Sequence, residues 1–126
     1  MSSLFAAAVL LLFVAVAYRL VARKLALRGH EVRPEEALAR YEESSYILDV
    51  RTPEEYREGH IPGARLLPVG ELGRRYREVP QDKAVYIICR SGSRSATATV
   101  WLLKKGYGNV YNISGGMNRW PGPVAK

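Results

Sequence analysis

The sequence predicts an α/β protein: a parallel sheet flanked by helices, preceded by one membrane-spanning helix. Three observations carry this. Tyr46-Ile47-Leu48-Asp49-Val50 and Ala84-Val85-Tyr86-Ile87-Ile88 are near-continuous apolar runs, as strands covered on both faces require. Segments with helical start signals alternate with the strands, a spacing that implies parallel pairing. Leu4 to Tyr18 is apolar and carries no charge.

The apolar N-terminal run reaches the roughly 20 residues a bilayer requires if Arg19 snorkels and Leu20-Val21-Ala22 continue it. Residues 4–22 are therefore read as the membrane contact, with residues 1–24 as an anchor and its basic flank. Tyr18 then lies near the headgroups, where aromatic rings are favoured. Arg19, Arg23, Lys24 and Arg28 follow the run with no acid among them. Positive flanks stay in the cytoplasm, so the remainder of the chain is expected to face inward. The alternative is export after signal-peptide cleavage at Ala15-Val16-Ala17. A signal peptide carries its positive charge before the apolar region, and here the charge comes after it.

Residues 25–30 read as a linker and residues 31–126 as one domain, the default for a chain of 126 residues. Glu31-Val32-Arg33 is a brief strand. Pro34 opens a helix whose first turn holds Glu35 and Glu36, with Ala37, Leu38 and Tyr41 as its apolar face. Ser44-Ser45 break it. After the strand ending at Val50, Thr52 caps a short helix beginning at Pro53, with Glu54 and Glu55 in its first turn. Gly59 to Ala64 is a turn-rich connection, and Ala64 to Leu67 a short strand. Val69 to Arg77 is expected to be helical despite Gly70 and Gly73. Pro80 to Lys83 turns into the strand Ala84 to Ile88. Ser95 to Lys105 is a helix ended by Gly106. Val110 to Ile113 is the last strand, and Gly115-Gly116 bend into a helical turn containing Met117 and Trp120.

Four of the seven net positive charges belong to the membrane flank, which leaves the rest of the chain at +3. That balance, with no aromatic-basic stripe, gives no nucleic-acid footprint. The single cysteine excludes an intramolecular disulfide and argues against a thiolate metal cluster. Neither a metal nor a cofactor is expected.

That cysteine, Cys89, is the most informative residue. The strand ends at its sulfur, and Arg90-Ser91-Gly92-Ser93-Arg94 follow before the next helix. A thiol between a strand and a helix N-terminus meets loop N–H groups and the positive end of the helix dipole. Both favour the thiolate, and Arg90 and Arg94 add full charges nearby. Gly92 lets the backbone curl, and Ser91 and Ser93 keep the rim small. The arginines either steer an anionic substrate or pair structurally with an acid such as Asp49 or Glu55.

Three stretches resemble rhodanese domains. Leu48-Asp49-Val50-Arg51-Thr52-Pro53-Glu54-Glu55-Tyr56 with Gly59-His60-Ile61-Pro62-Gly63-Ala64 resembles the family's N-terminal signature. Cys89 to Ser95 resembles its active-site loop, and Gly115-Gly116-Met117-Asn118-Arg119-Trp120 its C-terminal motif. The resemblance runs from about Glu31 to Trp120. It implies a five-stranded parallel sheet and a single-domain sulfurtransferase. Such a protein takes a sulfane sulfur from a small anionic donor, thiosulfate or a persulfide, onto Cys89. It passes the sulfur to a thiol or cyanide, or to a protein acceptor. Asp49 and Arg51 are expected as a buried polar pair organising the loops. His60 is expected to be structural, and Trp120 to plug the core. Thr97 and Thr99 are read as packing residues on the helix face.

Two other functions compete. A non-catalytic, membrane-tethered binding module has no need of Cys89 and a complete loop. Phosphatases and arsenate reductases of related fold use a longer loop, Cys-x5-Arg. Here Arg94 follows Cys89 after four residues, and Ser95 fills the arginine position.

Overall fold

The computed structural model describes residues 2–41 and 45–126. Its first element is α1, Ser2–Ala26, in which no residue is buried. This one helix is long and apolar enough to cross a membrane, and it lies near the N-terminus, where a signal sequence passes the same test. It runs two residues into the segment read as linker. A turn then seats Leu27, the first buried residue among those described, against the domain.

Five strands follow: β1 (Glu31–Val32), β2 (Tyr46–Asp49), β3 (Arg65–Leu66), β4 (Val85–Ile88) and β5 (Val110–Ile113). All pairings are parallel, and the spatial order is β1-β5-β4-β2-β3. The expected parallel α/β sheet is therefore present, with five strands. β4 lies at its centre. Its four residues are all buried, odd positions on one face and even positions on the other. Val85 and Ile87 join the cluster holding Leu48, Leu72 and Leu102, whereas Tyr86 and Ile88 join that of Ala37, Ile47 and Ile61. Burial of each such aliphatic side chain contributes about 1.5–3 kcal/mol. The same alternation sends Cys89 to the first face.

The helices lie where their start signals stand, with differences of physical origin. In α2 (Pro34–Arg40), Pro34 and Ala37 are buried, while Leu38 and Tyr41 stay largely exposed. Tyr41 lies beyond the last turn and donates its hydroxyl to the Pro62 carbonyl. Ser44, one of the two expected helix breakers, falls outside the described residues. In α3 (Pro53–Glu58), Thr52 and Glu55 form a reciprocal capping box. The expected helix from Val69 to Arg77 is broken. Only α4 (Leu72–Arg75) is α-helical, between the tighter turns Val69–Glu71 and Tyr76–Glu78. Gly70, which costs about 1 kcal/mol in a helix interior, lies in the first of these turns, whereas Gly73 is accommodated within α4.

The helix after the loop, α5, spans Ser93–Lys104 and starts two residues earlier than expected. Gly92, at φ +97°, turns the chain, so Ser93 takes the first helical position. At its far end Gly106 and Tyr107 donate to the carbonyls of Leu103 and Leu102, a Schellman closure. Thr99 is buried and donates to the Ser95 carbonyl. Thr97 is exposed, so the packing role holds for one threonine of the two.

Candidate active site

β4 and α5 place Cys89 at the carboxyl edge of the sheet, where open α/β folds build their sites. The residue is fully buried. Its Sγ accepts hydrogen bonds from the N–H groups of Gly92 (3.1 Å) and Ser95 (3.3 Å), and the Ser95 hydroxyl lies 3.2 Å away. Burial pushes the thiol up. The Ser95 hydroxyl and N–H, with the Gly92 and Ser91 N–H groups, outweigh it and hold the thiol below its ordinary value. These loop donors, not the arginine charges, lead the effect.

A second element fixes the loop from behind. Met117 N–H donates to the Cys89 carbonyl at 2.8 Å and Asn118 N–H to the Arg90 carbonyl at 2.9 Å. The turn Gly116–Arg119 thus holds those two carbonyls while N–H groups gather at the sulfur. Gly116, at φ +57°, is pressed against the loop so closely that a Cβ there would collide with the Cys89 and Arg90 carbonyls. A Cβ on Gly92 would lie 2.8 Å from Gly115 N. Asn112 adds a long contact, 3.4 Å from Nδ2 to the Gly92 carbonyl, and a firmer one to Glu31 at 2.9 Å.

Arg90 and Arg94 converge on Glu55. Arg94 grips it with both terminal nitrogens, at 2.7 and 2.9 Å, and Arg90 Nε donates at 3.1 Å. Arg94 above all, then Thr52 and Arg90, hold the Glu55 carboxyl far below the usual carboxylate range against the opposing pull of burial. The side chains of Arg90 and Arg94 keep 54% and 36% of their exposure, so both still present charge to solvent at the rim. Ser91 and Ser93 are exposed beside them, and Gly92 is buried beneath.

Asp49 and Arg51 form a buried pair. Arg51 donates to both carboxylate oxygens, at 2.8 Å for the shortest contact, and to the Gly59 carbonyl at 2.7 Å. They brace the end of β2 against the following connection. His60 stacks on Tyr56 with ring centroids 3.7 Å apart, and its Nδ1 lies 2.8 Å from the Tyr56 carbonyl oxygen. Its backbone pairs with Ala125. Trp120 is partly exposed against the second core cluster, away from the Sγ contacts.

Ser95 is not among the site residues that the sequence points to, although it stands in the loop motif, and Glu55 enters there only as one of two acids able to pair with the arginines, the alternative being Asp49; the structure selects Glu55. Ser95 stands six positions after Cys89 in the loop motif, and the early start of α5 is what turns its N–H and hydroxyl to the sulfur. Glu55 was read as a first-turn acid of α3. Its place three residues after Thr52 marks a capping box, but no local pattern shows that the same carboxylate reaches the arginines 35 and 39 residues on.

A buried cysteine in a cradle of N–H donors, at the edge of a parallel sheet, defines a class of α/β proteins that stabilise an anion on sulfur. The chain belongs to the Rhodanese-like domain family, whose model matches residues 33–122. It is 44% identical over 78 residues to a protein named Sulfurtransferase from Allochromatium vinosum, covering 62% of this chain and 73% of that one. It is 34% identical over 99 residues to Thiosulfate sulfurtransferase GlpE of Pseudomonas entomophila, covering 75% of this chain and 91% of that one. Of two Bacillus subtilis relatives that it matches, the chain covers 62% and 44% of their length. Among solved structures, a rhodanese-related protein from Thermoplasma volcanium superposes with a TM-score of 0.72. The two are 28% identical, over 76% of this chain and 97% of that one.

Proposed function

We propose that this protein is a membrane-anchored sulfurtransferase that carries a sulfane sulfur as a persulfide on Cys89. Family membership and sulfurtransferase-named relatives support that activity at the general level. The observation that carries the specific reading is the set of N–H and hydroxyl donors on Sγ. The Cys89 thiolate attacks the outer sulfur of thiosulfate or of a persulfide. The sulfur–sulfur bond of the donor breaks, and its electron pair leaves with sulfite or a thiolate. The anionic persulfide stays in the cradle that held the thiolate. An acceptor thiolate or cyanide then takes the outer sulfur, and Cys89 returns as thiolate. A protein acceptor fits the same step. No second cysteine in the chain resolves the persulfide, so the acceptor, a thiol or cyanide, comes from outside it.

Arg90 and Arg94 offer positive charge to the donor, tempered by Glu55. Phosphatase chemistry is disfavoured. Ser95, not an arginine, closes the sulfur cradle, and Arg94 is turned to Glu55. Steady-state transfer from thiosulfate to cyanide tests the reading. Cys89→Ser is expected to abolish it with the fold retained, and substantial residual activity would sink the assignment. In the same assay the thiosulfate KM is expected to rise with salt, as exposed charges are screened over roughly 10 Å at 0.1 M.

The exposed, apolar α1, with Arg23 and Lys24 in its last turn, supports an anchor whose basic end lies in the cytoplasm with the catalytic domain. In spheroplasts, a membrane-impermeant maleimide is expected to leave Cys89 unlabelled while a permeant one labels it. A denatured, permeabilised control corrects for burial. Ready labelling by the impermeant reagent would favour export.

A further inference from the structure

The last two turns of α1 do not stand clear of the domain. They run beside α5 and leave a groove of about 520 Å³ between the two helices. Ala22 from α1 and Val100 and Trp101 from α5 give it an apolar floor. Arg19, Arg23 and Lys104 stand among its lining residues, and no acid does. The groove begins where the uncharged run of α1 ends, at Tyr18 and Arg19. In an anchored chain whose apolar span runs on to Ala22, with Arg19 snorkelling past it, the groove opens at the membrane–water interface. One lining residue also reaches the catalytic loop: Arg23 Nη2 donates to the Ser93 carbonyl at 2.6 Å, on the first residue of α5.

We propose that this groove is a seat for one anionic phospholipid, which clamps α5 and the Cys89 loop against the membrane surface. The proposal rests on the anchor reading. The acyl chain continues from the bilayer along the apolar face of α1 onto Ala22 and Trp101, and the phosphate meets Arg19 and Lys104. Charge complementarity and continuity with the apolar span favour a lipid over an acidic peptide. Each cation near an anionic leaflet strengthens attraction about fivefold. With the lipid in place, the Cys89 loop is held one helical turn from the headgroups. Sulfur is then exchanged with partners at the membrane face.

The test uses the full chain carrying Trp120→Phe, so that Trp101 is its one tryptophan. It is placed in nanodiscs of phosphatidylcholine with a brominated-chain lipid, either phosphatidylglycerol or phosphatidylcholine, as quencher. Phosphatidylglycerol is expected to quench Trp101 at several-fold lower mole fraction than phosphatidylcholine. Arg19→Gln with Lys104→Gln is expected to remove that preference while the protein still co-elutes with the discs. Arg19→Lys is expected to retain it. Equal quenching by the two lipids, or a preference that survives the double substitution, overturns the seat and leaves the anchor standing. So does displacement of the lipid by an acidic peptide at lower concentration. Failure to co-elute with discs of either composition overturns the anchor and the seat together.

Discussion

At the residue scale, the chemistry depends on what surrounds one sulfur atom. Cys89 loses water by burial and regains partners from Gly92 and Ser95. A hydrogen bond to a charged group contributes about 1.5–3 kcal/mol. Ser95→Ala removes the hydroxyl and keeps the N–H, and is expected to raise the thiol pKa. The sign follows from the direction of the shift. A donor that favours the thiolate lowers the pKa, and its loss moves thiolate formation to higher pH. The pH dependence of iodoacetamide alkylation reads this directly. An unmoved midpoint would show that the hydroxyl does not stabilise the thiolate. Cys89 and its loop were legible in the sequence, because strand end, small residues and helix start stand next to one another. Glu55 was legible as a first-turn acid and as one of two possible partners of the arginines, with nothing to choose it over Asp49. Its second role depends on the packing of α3 against the loop, which no local spacing encodes.

At the scale of elements, the turn Gly116–Arg119 acts as a backstop for the loop. Two of its N–H groups occupy the Cys89 and Arg90 carbonyls, and Gly116 leaves no room for a side chain. Gly116→Ala is expected to push the turn off the loop, lower thiosulfate-dependent turnover at least tenfold and destabilise the fold by about 1–3 kcal/mol. Turnover and thermal unfolding of that variant measure both effects. Wild-type turnover would mean that the backstop is dispensable. The Gly115-Gly116 pair was legible as a bend, but its contact with Cys89 joins segments that are 27 residues apart. The broken helix around α4 shows the opposite failure. One helix was expected from Val69 to Arg77, and tight turns at Val69–Glu71, which holds Gly70, and at Tyr76–Glu78 leave only Leu72–Arg75 α-helical.

At the scale of the whole molecule, the five-stranded parallel sheet was foreseeable because β2 and β4 are apolar on both faces. The order of its strands was not, since the β1–β5 pairing joins the two ends of the domain. The same sheet delivers the sulfur to its carboxyl edge, and α1 brings the loop beside a helix able to cross a membrane. The central claim is that Cys89 holds the transferred sulfur between two half-reactions. Intact-protein mass spectrometry after exposure to thiosulfate, with excess donor removed, tests it most directly. A mass increment of one sulfur atom is expected, localised to the peptide containing Cys89, lost on adding cyanide or a thiol and absent in Cys89→Ser. An unmodified protein that still turns over thiosulfate, or a sulfur adduct that persists in Cys89→Ser, would contradict it.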